Sequence, residues 1–249
     1  MIRFVLVIVV IIIDLILMIP FGIAVLISNL FGKNVRDSLV KLFMDFCFFG
    51  LKVLSGTKVT YKGLEKLPKD GPVLYVANHQ SFFDVILVSP KLPKLTSYVC
   101  KKSFEKIPVF SQIMKLSYTL YLDRDDIKQG LKIILQAIEY IKSGISVFIF
   151  PEGTRSKTGE MNDFKEGSMK VSTKTGCPIV PIAISNTSAI WEDHFPKITK
   201  EKVIIEVLDP IYPADFDKDA IKHLGKYCHD LIDEARKKNN LAICENGVK

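Results

Sequence analysis

Apolar positions fall into three regimes along the chain. Residues 4–27 are almost uninterrupted, Phe4-Val-Leu-Val-Ile through Ala24-Val-Leu-Ile27, with Asp14 the single charge. Such a run has no polar face, which predicts a helix surrounded by lipid. At ~1.5 Å per residue it reaches about 36 Å, enough to cross a bilayer with some tilt. Asp14 costs about 2.5–3.5 kcal/mol at a helix centre, while each Leu, Ile, Val or Phe contributes about 0.3–0.6 kcal/mol in favour, so insertion wins. Pro20 and Gly22 leave open a bend that would turn the segment into a hairpin. The apolar core is too long for a signal peptide, and no small-residue cleavage site is recognisable. Residues 39–54 follow a second pattern: Leu39, Leu42, Phe43, Phe46, Phe49 and Val53 recur every three or four positions, with Lys41, Asp45 and Lys52 between them. This predicts an amphipathic helix that either lies in the membrane interface or packs on a core.

From residue 57 onward the pattern changes again, to short apolar runs alternating with helical periods, as in an α/β fold. The expected strands are 59–61, 73–77, 97–100, 118–122, 146–150, 179–184 and 202–207. The expected helices are 82–89, 103–115, 126–142, 167–175 and 218–238. Two helices have the clearest period, through Ile127, Leu131, Ile134, Ile138 and Ile141, and through Ile221, Leu224, Cys228, Leu231 and Ala235. Their opposite faces are polar, so they should cover a sheet. No repeat or Gly/Ser linker interrupts residues 55–249, which points to one domain behind an N-terminal membrane segment, residues 1–54.

Composition narrows the partners. The net charge of +7 suggests an anionic lipid surface or a phosphate-bearing substrate. Nucleic acid is disfavoured, because zinc-finger spacing, RNP-type aromatics and a Gly-rich single-strand platform are missing from the sequence. The five cysteines (47, 100, 177, 228 and 244) form no C-x-x-C, which fits reduced thiols in the cytosol. Lys33, Arg36, Lys41 and Lys52 follow the apolar run, against Arg3 before it, and place the globular part on the cytoplasmic face of the cell membrane.

Several motifs carry chemistry. Asn78-His79-Gln80-Ser81-Phe82-Phe83-Asp84 follows the strand at 73–77. His79 can take a proton near neutrality, and Asp84 can hold the other ring nitrogen and so fix the tautomer. Ser81-x-x-Asp84 is also a helix capping box, which would give Asp84 a structural role. Tyr121-Leu-Asp-Arg124 sets an arginine at a strand's carboxyl end, where open α/β sheets bind ligands. In Phe150-Pro151-Glu152-Gly153-Thr154-Arg155, the glycine admits a close ligand, Thr154 offers a hydroxyl, and Arg155 a fork matched to phosphate oxygens. Glu152 would hold Arg155, hold a substrate hydroxyl, or stabilise the turn. Lys101 and Lys102 close another strand and offer point-charge phosphate contacts; Lys91, Lys94 and Lys106 extend this into a basic patch. Pro181, within Ile179-Val-Pro181-Ile-Ala-Ile184, argues for an edge strand or a bulge, and is either ordinary core or part of an acyl groove.

Taken in this order, the motifs closely resemble those of the 1-acylglycerol-3-phosphate acyltransferase family, over roughly residues 57–210. The resemblance implies an α/β domain with a seven-stranded sheet and transfer of an acyl group from a thioester to the 2-hydroxyl of lysophosphatidic acid. It makes His79 the general base and Asp84 its orienting partner. Arg124, Glu152, Gly153 and Arg155 match the glycerol-phosphate site, with Lys101 rather than Lys102 as the matching lysine, and the block around Pro181 matches an acyl-binding region. Ser111 departs from the glycine found in many relatives.

The residues support such chemistry independently. A thioester is activated enough for a hydroxyl to attack once a base removes its proton, so no enzyme nucleophile is required. The sequence has no Gly-x-Ser-x-Gly elbow, which disfavours a serine esterase. His79 and Asp84 lack a third metal ligand at suitable spacing, so a metal site is not expected. No cofactor is expected beyond the donor itself, acyl-CoA or acyl carrier protein. Other readings are acylation of glycerol 3-phosphate or another lysophospholipid, and a non-catalytic lipid-binding protein; an intact base pair argues against the last.

Overall fold

The computed structural model describes residues 1–108, 110–123, 126–156 and 158–245. Runs rich in Val, Ile and Tyr form strands β1 (Lys58–Lys62), β2 (Leu74–Ala77), β3 (Thr96–Lys101), β4 (Leu120–Leu122), β5 (Ser146–Ile149), β6 (Ile179–Ser185) and β7 (Lys202–Val207). They join into a single mixed sheet in the order β1-β7-β6-β2-β5-β3-β4. Neighbouring strands are parallel except β6 and β7. The carboxyl ends of β2, β3, β4, β5 and β6 therefore gather at one edge. From β2 the chain moves to β3 on one side, and from β5 it crosses β2 to β6 on the other. Such a reversal opens a crevice at the strand ends, where α/β sheets bind ligands.

Helices cover both faces. One face of the sheet packs against α3 (Phe83–Val88) and two long N-terminal helices, α1 (Ile2–Ser28) and α2 (Lys33–Ser55), through Tyr75, Phe83, Leu87, Phe148, Ile182 and Ile184. The other face packs against α5 (Ile127–Lys142), α6 (Lys170–Thr175) and α7 (Leu224–Glu245) through Val76, Ala137, Ile138, Ile149, Cys228 and Ile232. Between β3 and β4, α4 (Phe110–Leu116) is shorter than the helix expected at 103–115. Lys102–Lys106 form a 3-10 turn instead, because Pro108 disfavours helical backbone at Ile107; Val109 lies outside the described residues. Asp126 caps α5 by accepting a hydrogen bond from the Gln129 N–H. Leu131, expected to face the core from α5, is 58% exposed; Ala137, Ile138 and Ile141 carry the packing instead. Helix α7 starts later than expected and runs on to Glu245.

Helix α1 continues through Pro20 as one helix, so the expected 4–27 segment does not itself fold into a hairpin. The hairpin is instead made by α1 with α2. Gly32, at φ 99°, closes the connection in backbone that favours glycine. The helices run antiparallel: Phe21 stacks on Phe43 with ring centroids 4.0 Å apart, while Gly50 faces Val10. Helix α1 is long and apolar enough to cross a membrane. It is nevertheless packed on the globular part near both ends. Phe4, Val7 and Val10 join the sheet's core cluster, and Phe21 and Val25 meet Val40, Met44, Leu95 and Leu116. The core-packing reading of the second helix holds for one of its faces, and a second apolar face is left exposed. Val40, Met44, Cys47 and Leu51 form a buried stripe on α2, and Leu42, Phe46, Phe49 and Val53 an exposed one. The basic residues after α1 are tied down locally: Lys33 donates to the Ser143 carbonyl, Arg36 pairs with Asp37, and Lys41 pairs with Asp45.

Strand β6 is interior, so the edge-strand expectation for Pro181 does not hold. The missing N–H is accommodated where β7 ends. Ile182 pairs with Val207 but Ile179 pairs with Ile211, one residue further than a regular ladder allows. That slip is the bulge alternative.

The two stripes of α2 predict opposite behaviour. Leu51→Ala should cost about 2–5 kcal/mol of stability, read as a lower melting temperature in detergent. Phe49→Ala, on the exposed stripe, should leave the melting temperature nearly unchanged but weaken retention on lipid vesicles. Equal thermal losses from both variants would contradict this assignment of faces.

Candidate active site

The loop after β2 is fixed by its own side chains. Asn78 bridges to β6 like an extra strand residue: its Nδ2 donates to the Ile184 carbonyl at 2.9 Å and its Oδ1 accepts from the Ile184 N–H at 2.8 Å. His79 follows, with its ring stacked on Phe150 at 4.0 Å between centroids. His79 Nδ1 lies 2.7 Å from Asp84 Oδ2. The same oxygen accepts from the backbone N–H groups of Gln80 (2.7 Å) and Ser81 (2.9 Å), and Asp84 Oδ1 accepts from the Thr187 hydroxyl (2.5 Å). Asp84 is fully buried, so these bonds replace its hydration. Ser81 Oγ accepts from the Phe83 N–H at 3.0 Å, completing a capping arrangement at the start of α3. One carboxylate therefore serves both the cap and the histidine.

A carboxylate on Nδ1 favours the proton there and leaves Nε2 as the basic nitrogen. With the His79 side chain 15% exposed, that nitrogen can receive a proton from a bound hydroxyl.

The turn after β5 wraps the same loop. Ser156 N–H donates to the His79 carbonyl at 2.9 Å. Buried Glu152 accepts from the His79 N–H (2.7 Å) at Oε1 and from the N–H and Nδ2 of Asn162 (2.9 Å each) at Oε2. Burial raises its carboxyl above the usual carboxylate range, opposed by those hydrogen bonds. Both of its oxygens are thus engaged by protein donors, and it does not hold Arg155. Glu192 does, accepting from Arg155 Nη1 at 2.8 Å. Glu192 also accepts from the Ser81 hydroxyl (2.6 Å) and the Phe82 N–H (2.9 Å), and the Arg155 guanidinium lies 4.3 Å over the Phe82 ring.

The sequence-predicted residues are placed as follows. His79, Asp84, Glu152, Gly153, Thr154 and Arg155 converge at the ends of β2 and β5. Gly153 sits at φ 72°, and Thr154 is exposed. Lys101 closes β3 at the same edge, one strand over, exposed like Lys102. Pro181 is buried mid-strand in β6, in step with Ile179 and Ala183 on the α7 face. Arg124 lies outside the described residues. Sequence reasoning missed Asn78 as a clamp, and Thr187, Asn162 and Glu192 altogether. No local motif marks these residues, since their partners lie far away in sequence.

Comparison with known proteins agrees with this frame. A family model described as Acyltransferase matches residues 58–185, which defines the class. A 1-acyl-sn-glycerol-3-phosphate acyltransferase of Saccharomyces cerevisiae is 30% identical over 84% of this chain and 69% of its own length. One from Salmonella typhimurium is 31% identical over 75% of this chain and 76% of its own. The crystal structure of the acyltransferase PlsC from Thermotoga maritima superposes with a TM-score of 0.78 at 23% identity, covering 95% of this chain and 96% of that one. The chain belongs to the 1-acyl-sn-glycerol-3-phosphate acyltransferase family.

The role of Glu152 is open to a direct test. Glu152→Gln keeps an acceptor for the His79 N–H but turns an NH2 toward Asn162, whose side-chain amide can flip while its backbone N–H cannot. The stranded donors should cost about 1–3 kcal/mol in denaturant unfolding. Unchanged stability would mean that this carboxylate does not bind the two loops together.

Proposed function

We propose that the protein transfers a fatty acyl group from a thioester to the 2-hydroxyl of a 1-acylglycerol 3-phosphate, giving phosphatidic acid. The observation that carries the reading is the buried Asp84 carboxylate 2.7 Å from His79 Nδ1. With Nδ1 engaged, Nε2 takes the proton of the acceptor hydroxyl as its oxygen attacks the thioester carbonyl. The tetrahedral centre then expels the thiolate, which receives the same proton from the imidazolium. No enzyme nucleophile is acylated. Ser81 is the hydroxyl nearest in sequence, and both of its roles are taken: it donates to Glu192 and accepts from Phe83.

The acceptor's phosphate is read by Arg155, with Thr154 supplying a hydroxyl and Gly153 letting backbone approach closely. Lys101 adds a point charge from the next strand. Arg124 and the region of Pro181 keep the roles that the family resemblance implies, in the phosphate site and the acyl-binding region. The donor is acyl-CoA or acyl carrier protein, and no cofactor is needed.

The apolar faces of α1 and α2 attach the domain to the membrane that holds its acceptor, with the catalytic part on the cytoplasmic face. The many exposed apolar side chains of the two helices, among them Ile12 and Ile16 on α1 and Phe46 and Phe49 on α2, support attachment.

Steady-state kinetics on two variants separate chemistry from binding. His79→Ala should lower kcat by about 10²–10⁴-fold with little change in acceptor KM. Arg155→Ala removes a charge-assisted contact worth about 1.5–3 kcal/mol, so acceptor KM should rise about ten- to a hundredfold while donor KM moves much less. An active His79→Ala enzyme would remove the mechanism, and unchanged acceptor affinity in Arg155→Ala the phosphate site. Run against a panel of lysophospholipids and glycerol 3-phosphate, the wild-type assay identifies the acceptor.

A further inference from the structure

The carboxylates that build the site leave its charge balance unfinished. Asp84 and Glu152 hydrogen-bond to His79, Glu192 to the following Ser81 and Phe82, and Arg155 is already paired with Glu192 at 2.8 Å. A phosphomonoester carries about −1.5 to −2 near neutrality, so it needs more positive charge than one guanidinium shared with a carboxylate.

The chain supplies such a charge just beyond the Glu152-Gly153-Thr154 turn. Lys165 lies against this turn, its N–H donating to the Pro151 carbonyl at 3.1 Å. This pins the residue beside Gly153 and lays its side chain across the glycine. A Cβ added to Gly153 would stand 2.9 Å from Lys165 Nζ and 3.2 Å from Cε. The missing side chain is what gives the ammonium its room. Neighbouring Glu166 is committed elsewhere, accepting from the N–H groups of Gly225 and Lys226 at the start of α7. Among the described residues no carboxylate forms an ion pair with Lys165.

We infer that Lys165 is a further substrate-binding cation of this site beside Arg155 and Lys101, which contacts the acceptor's phosphate across Gly153 while Arg155 holds it from the other end of the turn. This rests on the acyl-transfer reading above. It also gives Gly153 a second purpose besides its left-handed backbone, since any side chain there would displace the ammonium.

The test uses the full-length protein in detergent with lysophosphatidic acid and acyl-CoA, each varied at saturating levels of the other. Lys165→Met should raise acceptor KM about tenfold and leave kcat and donor KM within about twofold, as for loss of a charged contact to the acceptor alone. Lys165→Arg, which keeps the charge, should stay close to wild type; Lys165→Gln serves as a second neutral variant. Circular dichroism and melting temperature check folding of each. The inference is overturned if neutral variants keep wild-type acceptor KM, if donor KM rises instead, or if Lys165→Arg is as impaired as Lys165→Met. A wild-type enzyme that acylates lysophosphatidic acid while any of these holds preserves the proposed function and removes only the role of Lys165. A wild-type enzyme inactive on that acceptor removes both.

Discussion

The Asp84 carboxylate is the point on which the candidate site depends. Fully buried, it gathers the His79 ring, two backbone N–H groups of its own loop, and the Thr187 hydroxyl from beyond β6. A charge this deep is tolerable only when both of its oxygens are hydrogen-bonded, and here they are. The result is a loop whose shape and whose histidine are set by one group. Glu152 and Glu192 extend the same logic outward, tying the β5 turn and Arg155 to that loop. Three carboxylates thus hold the loop of a site proposed to receive an anion, which is why the surrounding lysines matter as much as the arginine.

The N-terminal helices are part of this construction. Val7 and Leu51 share a core cluster with Tyr75, Phe148 and Ile182, on the sheet face that also carries α3. The helices that present the apolar surface therefore buttress the face on which Asp84 sits. Phe4 meets Trp191 at 6.3 Å between ring centroids, and Trp191 meets Phe82 at 5.7 Å, so α1 reaches the edge of the site through two aromatic contacts.

Much of the fold was legible in the sequence, and the exceptions have physical causes. The strand at 202–207 lies where it was expected, because Val203, Ile204 and Ile205 are buried in succession and so form a short β-branched run. The helix expected at 103–115 ignored the constraint that Pro108 imposes on the residue before it. Leu131 looked like core by spacing alone, but the helix face is decided by where β4 and β5 end. For Pro181, a missing donor suggested an edge, whereas the ladder instead slips by one residue beside it. Within the site, His79 and Asp84 could be paired because both lie on one short loop, and competing readings of Asp84 as cap and as histidine partner are both realised. Glu192, Thr187 and Asn162 were invisible. They reach Ser81, Asp84 and Glu152 only after the sheet brings β2, β5 and β6 side by side.

The tautomer of His79 is the most direct measure of whether Asp84 prepares it as a base. Full-length protein labelled with 15N at histidine, studied in detergent at a pH where the ring is neutral, gives long-range 15N–1H correlations, with the His79 peaks assigned by their loss in His79→Gln. A protonated, pyrrole-type Nδ1 with an unprotonated, pyridine-type Nε2 is the expected pattern. The opposite tautomer, with the proton on Nε2, would contradict a base that Asp84 has readied to take a proton from the acceptor.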